Sequence, residues 1–340
     1  MVDDAELDRL IAEAGIAGNR SVVRRILRAG IDLGTDPARR LDLKITAAAV
    51  EEMRSAFRLY APYAEVPKAT VFGSARTQPG TALYAQAREV AAFLAADGWM
   101  VITGAGPGIM QAATEGAGPE RSLGISIQLP FEEKPNEAVA EERHVSMKYF
   151  FTRKLMLMKE SRGFISLPGG FGTLDETFEL LTLQQTGKAE PMPIVLLDRP
   201  GGTFWTALAD YLEREVASFG MIAPNDMSRV LITDSVEAAA THIRAFWRNY
   251  DSLRWVGDRL VVRLRHAPTA AEVSALNREF SGLLVCGEIE VSPPLADELA
   301  GQDKVELPRL AMNFDPRQVG DLFRLIDAIN ALASAGETAS

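Results

Sequence analysis

Apolar positions near the start of the chain fall at helical spacing: Leu7, Leu10, Ile11 and Ala14 share one face, and Val50, Met53, Phe57 and Tyr60 share another. The spacing predicts a helical extension over residues 1–64, with Pro62 and then Pro67 breaking the pattern. Ala69-Thr70-Val71-Phe72 follows as a short apolar run closed by Gly73-Ser74, which reads as the first central strand. From there helix-like faces, such as Leu83, Ala87, Val90 and Leu94, alternate with strand-like runs. The runs are Met100-Val101-Ile102, Gly124-Ile125-Ser126-Ile127, Phe164 to Leu167, Ile194 to Leu197 and Val230 to Ile232. A long polar stretch follows Ile127; Lys154 to Lys159 and the segment holding Phe204, Leu208, Tyr211 and Leu212 read as helices. This alternation predicts an α/β fold with a doubly wound parallel sheet over residues 65–250. Residues 251–340 repeat a smaller pattern: strands at Leu260 to Leu264, Leu283 to Val291 and Leu310 to Phe314, with helices around Ala270 to Phe280 and at the end. They read as a small α+β module, structural or oligomerising, with a regulatory ligand site as the sharper alternative.

Composition narrows the function. The 340 residues, 47% of them hydrophobic, can build a sizeable core in about two or three folding units. A net charge of −10 opposes the nonspecific attraction to phosphodiester backbones on which DNA and RNA binders rely, so no polymeric nucleic acid is expected as a partner. A small anion stays open, because a few backbone N–H groups and local cations can hold it at any net charge. Cys286 is the only cysteine, which excludes an intramolecular disulfide. His144, His242 and His266 lack metal-ligand spacing, so no metal is expected. The amino terminus lacks a basic flank followed by an apolar core, and no segment is apolar over a membrane-spanning length; a cytoplasmic protein with no membrane partner is expected.

Candidate chemistry gathers where predicted strands turn into helices. Leu167-Pro168-Gly169-Gly170-Phe171-Gly172-Thr173-Leu174-Asp175-Glu176 lies between a strand and a helix. Gly169, Gly170 and Gly172 let backbone approach a ligand closely, the helix start offers N–H groups to an anion, and Thr173 adds a hydroxyl. Taken alone, the run reads as a tight turn with a Thr173/Glu176 capping box. A second loop, Thr103-Gly104-Ala105-Gly106-Pro107-Gly108, also follows a strand and opens a helix, so Gly104 and Gly106 join the candidates. It lacks the full G-x-G-x-x-G spacing and an evident acidic ribose partner, and no G-x-x-x-x-G-K-[ST] occurs, which disfavours nicotinamide chemistry and phosphoryl transfer. Gly73-Ser74-Ala75-Arg76 supplies a third loop at the same carboxyl edge, where open α/β sheets bind ligands. Singly, Arg76 reads as a solvated charge and Ser74 as a turn residue; together the loops outline a mononucleotide pocket.

These loops, with Arg153-Lys154 upstream, resemble the Lonely Guy (LOG) family, whose signature PGGxGTxxE, preceded by an Arg-Lys pair, is matched by Pro168 to Glu176. The resemblance runs from about Lys68 to Tyr250. It implies a Rossmann-like fold and phosphoribohydrolase activity: release of free base and ribose 5-phosphate from cytokinin or AMP-like nucleoside 5′-monophosphates, without a cofactor. Members were formerly labelled lysine decarboxylases. The resemblance also implies a homodimer or larger homo-oligomer. Carried over by motif, Arg153 and Glu176 are the catalytic candidates, with Lys154 and Glu179 beside them. Glu176 and Glu179, three apart, share a helix face, whereas Asp175 points elsewhere. Many plant-like members read Met-His-x-Arg-Lys where this chain has Phe150-Phe151-Thr152-Arg153-Lys154, an aromatic wall that bears on which base fits. His144 reads as a loop residue. The alternative to an enzyme is a noncatalytic nucleotide-binding regulatory protein, suggested by the segments on either side of the sheet domain.

Overall fold

The computed structural model describes residues 3–128, 139–223 and 226–336. Met1, Val2 and residues 129–138 of the polar stretch after Ile127 lie outside the described residues. The chain divides into two compact units, Met1–Arg58 and Leu59–Ser340. The first holds helices α1 (Asp4–Glu13), α2 (Arg20–Thr35) and most of α3 (Arg40–Tyr60). Asp3 caps α1 by accepting the Glu6 N–H at 2.7 Å, satisfying one of the free donors of the first turn. Arg24 joins Asp8 at 2.9 Å and Arg28 joins Asp4 at 2.7 Å, tying α2 to α1.

In the second unit the order is β1 (Lys68–Phe72), α4 (Ala82–Ala96), β2 (Met100–Thr103), α5 (Ile109–Ala117), β3 (Ser122–Ile127), β4 (His144–Met147), α6 (Phe150–Lys159) and β5 (Phe164–Ser166). There follow α7 (Phe171–Gln185), β6 (Ile194–Leu197), α8 (Phe204–Tyr211), β7 (Val230–Thr233) and α9 (Val236–Phe246). The seven strands pair in parallel in the order β4-β3-β2-β1-β5-β6-β7. β1 has β2 on one side and β5 on the other, so the winding reverses there and the loops leaving β1, β2 and β5 stand side by side.

Period-two alternation divides the strands between two helical layers. Ala69, Val71, Val101, Ile165, Leu167, Val195 and Leu197 form one core with residues of α4, α5 and α9. On the other face Thr70 donates to the Leu157 carbonyl of α6 at 2.7 Å, and Thr177 of α7 donates to Ser166 at 3.0 Å. Both faces are covered, which is why the strands read as near-continuous apolar runs. Two strands depart from the sequence reading. β4 carries His144 in its first position, where a loop was expected, and a second unforeseen strand opens the carboxyl-terminal part.

That part consists of β8 (Tyr250–Val256), β9 (Arg259–Leu264), α10 (Ala270–Phe280), β10 (Leu284–Val291), α11 (Ala296–Gly301), β11 (Arg309–Phe314) and α12 (Val319–Ala331). Its antiparallel sheet, ordered β10-β11-β9-β8, packs Leu260, Val262, Leu310, Met312 and Phe314 against Leu276 and Phe280 of α10 and Leu322, Leu325, Ile326 and Ile329 of α12. Glu298 of α11 is fully buried and accepts from Arg263 at 2.8 Å while lying 2.6 Å from Arg309. Arg263 also reaches Asp303 at 2.7 Å. No helix among the described residues is long and apolar enough to cross a membrane.

Candidate functional site

The loop leaving β1 is built to be touched from both sides. Ser74 closes a local turn by accepting the Arg76 N–H on its hydroxyl at 3.1 Å, while Arg76 itself is exposed. The Ser74 carbonyl accepts the Ile109 N–H at 3.0 Å, which docks the start of α5 on this loop. Close approach explains two glycines here. A Cβ on Gly73 would lie 2.5 Å from Ile109 Cγ2, and one on Gly108, whose φ is +69°, would lie 2.3 Å from the Ser74 carbonyl oxygen.

The signature loop packs against the same residues. Leu167 N–H donates to the Phe72 carbonyl at 2.9 Å, and a Cβ on Gly169 would lie 2.2 Å from Thr173 Oγ1 and 3.0 Å from the Ser74 nitrogen. At Gly170 and Gly172, by contrast, an added Cβ meets open space. α7 starts after Gly170 with no side chain capping its first turn, and α5 starts after Gly108 in the same way. Thr173 and Glu176 therefore form no capping box: Thr173 lies inside the first turn of α7. The result is two helix starts without a side-chain cap, and at α5 the first N–H, that of Ile109, is already taken by the Ser74 carbonyl.

At the foot of these loops lies a buried ion pair. Arg153, in the first turn of α6, donates from Nε to the Ile125 carbonyl of β3 at 3.0 Å and from Nη1 to Glu176 Oε1 of α7 at 3.3 Å. Arg153 is 9% exposed and Glu176 8%. Burial pushes the Glu176 carboxyl up to about 7, against the opposing pull of the Arg153 charge. Arg153 also passes close to the β2 loop, where a Cβ on Gly104 would lie 2.0 Å from its Nη2; a Cβ on Gly106 would meet the flexible end of Met110, Cε at 2.6 Å and Sδ at 3.4 Å.

Lys154 sits in a separate cluster. Its Nζ lies 2.8 Å from Asp175 Oδ2 and 2.5 Å from Glu179 Oε2. Partial burial opposes its charge, but these carboxylates prevail and hold its pKa above the ordinary lysine value. The expectation that Asp175 points away is thus corrected: Asp175 and Glu179, at i and i+4, close on one ammonium, while Glu176 turns inward to Arg153. The arrangement joins Arg153, Glu176 and Gly104, joins Lys154 to Glu179, and brings Gly73, Ser74, Gly169 and Thr173 together. Sequence reading missed the Ile125 carbonyl that seats Arg153 and the role of Asp175; for the latter, the i, i+4 spacing was the available signal. His144 bonds Ser126 at 2.8 Å, and burial lowers its pKa. Among the described residues no group of His, Cys, Asp or Glu could hold a metal ion.

Comparison with known proteins fits this geometry. A family model described as possible lysine decarboxylase matches residues 108–243, from the start of α5 through the signature to α9. A cytokinin riboside 5′-monophosphate phosphoribohydrolase of Mycobacterium tuberculosis is 32% identical over 157 residues, 45% of this chain and 81% of the relative. A protein of the same name from Rhodococcoides fascians is 36% identical over 93 residues, 27% of this chain and 45% of the relative. A probable enzyme of that name from Arabidopsis thaliana is 35% identical over 96 residues, 28% of this chain and 45% of the relative. The chain thus matches under half the length of the latter two and about four fifths of the mycobacterial protein. Among solved structures, a molybdenum cofactor binding protein from Rippkaea orientalis aligns over 51% of this chain and 92% of its own, at 24% identity and a TM-score of 0.35. With the signature running from the end of β5 into the first turns of α7 and the mycobacterial relative matched over most of its length, the chain belongs to the LOG family, that of the cytokinin riboside 5′-monophosphate phosphoribohydrolases.

Proposed function

We propose that the protein hydrolyses the N-glycosidic bond of a nucleoside 5′-monophosphate, releasing free base and ribose 5-phosphate. The observation that carries this reading is the buried Arg153–Glu176 pair at the foot of two uncapped helix starts. The N–H groups of those starts, with Thr173, bind the 5′-phosphate. Cleavage builds positive charge on the ribose as the base leaves, and water must reach the anomeric carbon. A carboxyl titrating at about 7 serves both needs near neutral pH: as carboxylate Glu176 stabilises the oxocarbenium-like centre, and it takes a proton from the incoming water. Arg153 holds Glu176 in place and keeps part of its population ionised.

AMP and N6-modified adenine nucleotides are the substrates the reading favours, from the names of the relatives and the apolar surface beside the site. Phe150 and Phe151 are each 56% exposed, and Phe171 is 93% exposed. These groups also support a homo-oligomer, in which a second copy covers part of this surface. The test is incubation of the purified protein with AMP, GMP, CMP, UMP and isopentenyladenosine monophosphate, followed by chromatography. Free base that appears with the protein and vanishes with Glu176→Gln supports the reading. No base from any nucleotide, or full turnover by Glu176→Gln, overturns it.

A further inference from the structure

Gly104 belongs to a glycine-rich loop between a strand and a helix, where glycine is ordinarily explained by a left-handed backbone or by close approach of a phosphate. Neither explanation is needed here. The positive φ values of this loop fall on Ala105, at +53°, and on Gly108, at +69°, not on Gly104. What fills the space beside Gly104 is the protein itself: a Cβ there would lie 2.0 Å from Arg153 Nη2, 3.3 Å from Arg153 Cζ and 2.8 Å from Met110 Sδ. Met110 can give way, being a flexible thioether chain. Arg153 cannot move without loss, because the same guanidinium group donates to the Ile125 carbonyl and to Glu176 and is almost fully buried.

We propose that Gly104 is a positioning residue for Arg153: the missing side chain is the seat on which the guanidinium lies, and through it Gly104 sets the Arg153–Glu176 contact. The inference rests on the nucleotide-hydrolase reading for its rate readout only. Any side chain at 104 would push the guanidinium away from Glu176 and leave the carboxyl buried without its cation, so Gly104 acts on catalysis without touching substrate.

The test follows the titration of the Glu176 carboxyl by carbon-13 NMR on glutamate-labelled protein, the resonance assigned by its loss in Glu176→Gln. Four proteins are compared: wild type, Gly104→Ala, Arg153→Lys, and the double variant. In Gly104→Ala the midpoint is expected to rise by about one pH unit, a tenfold change in acidity. With AMP as probe, kcat at pH 7 is expected to fall about fivefold, as the carboxylate fraction drops, while KM changes less. In the Arg153→Lys background, where the fork that meets the Cβ is gone, the same substitution is expected to move neither the midpoint nor kcat further. Should Gly104→Ala fail to fold, a double variant as stable as Arg153→Lys supports the proposal, and one that also fails overturns it. An unmoved midpoint in Gly104→Ala, or a rise in KM alone as a phosphate-contacting glycine would give, overturns it as well. A wild-type protein that hydrolyses no nucleotide defeats the proposed function, while the titration still decides the role of Gly104.

Discussion

Arg153 stands between Ile125 and Glu176, and its contact with Glu176, Nη1 to Oε1 at 3.3 Å, joins α6 to α7 beneath the signature loop. The pair is unequal. Arginine keeps its charge in almost any setting, whereas the Glu176 carboxyl is pushed by burial from 4.5 to about 7. A carboxyl whose folded pKa exceeds its unfolded one binds more protons folded than unfolded, so it opposes folding increasingly as pH rises from about 4.5 to about 7. A shift of this size corresponds to about 3 kcal/mol. Glu176→Gln is therefore expected to abolish base release while gaining stability relative to wild type as pH rises. Thermal unfolding of both proteins at pH 5 and pH 8 checks this: the difference in Tm should move in favour of the variant at pH 8. No change between the two pH values would mean that Glu176 titrates normally.

The same carboxyl sets the expected pH–rate profile. With the carboxylate as working form, kcat/KM should rise through a midpoint at about 7 and level off above it, losing about tenfold for each unit below. In Arg153→Ala the remaining activity should show its midpoint displaced to higher pH, because the cation that favours ionisation is gone. A profile flat from pH 5 to 8 would remove Glu176 from the role of base.

The parallel sheet was legible because its strands are buried on both faces and its helices are amphipathic, so the period of the apolar residues changes at nearly every boundary. β4 escaped because it lies at the edge of the sheet: of His144, Val145, Ser146 and Met147, only Met147 is buried. β8 escaped because Asp251, Ser252 and Arg254 break its apolar pattern. At the site, the glycines and the Arg153/Glu176 candidates could be read from the motif, but their purposes could not. Gly73 and Gly108 are explained by the approach of Ile109 and of the Ser74 loop, relationships between segments far apart in sequence. The Thr173/Glu176 capping box failed because Gly170 is the residue that precedes α7 and Thr173 is already the third residue of the helix, so neither Thr173 nor Glu176 stands where capping requires.

Least legible was Glu298, which belongs to α11, a short helix not foreseen between two expected strands, and which lies at 0% exposure between Arg263 and Arg309. Removing one member of a buried charged cluster leaves the others desolvated and unpaired. Glu298→Ala is therefore expected to destabilise the protein by roughly 3–5 kcal/mol, far more than loss of a surface ion pair such as Arg324–Asp321, worth about 1 kcal/mol at most. Urea denaturation of Glu298→Ala and Asp321→Ala gives the comparison; equal midpoints would mean that water reaches the Glu298 cluster. Glu298 carries a net lowered pKa, its burial outweighed by hydrogen bonds from Leu295 and Arg263 and by the charge of Arg309 beside it. Its contribution should accordingly be present at neutral pH and fade in acid, as pH falls through the folded pKa.

Gly172 separates the two purposes a signature glycine can have. It sits in the first turn of α7 without a positive φ, and an added Cβ would meet open space rather than protein. Alanine is also the better helix former, so Gly172→Ala should leave stability unchanged or raise it by up to about 1 kcal/mol. If the space above this turn holds the 5′-phosphate, the same methyl group stands where the ligand must approach. KM for AMP should then rise about tenfold, a loss of binding worth about 1.4 kcal/mol, with kcat much less affected. Steady-state kinetics and thermal unfolding of the one variant decide the matter. Raised KM in a protein of undiminished Tm places the phosphate over α7, whereas unchanged KM leaves the α5 start, beyond Gly108, as the phosphate-binding turn.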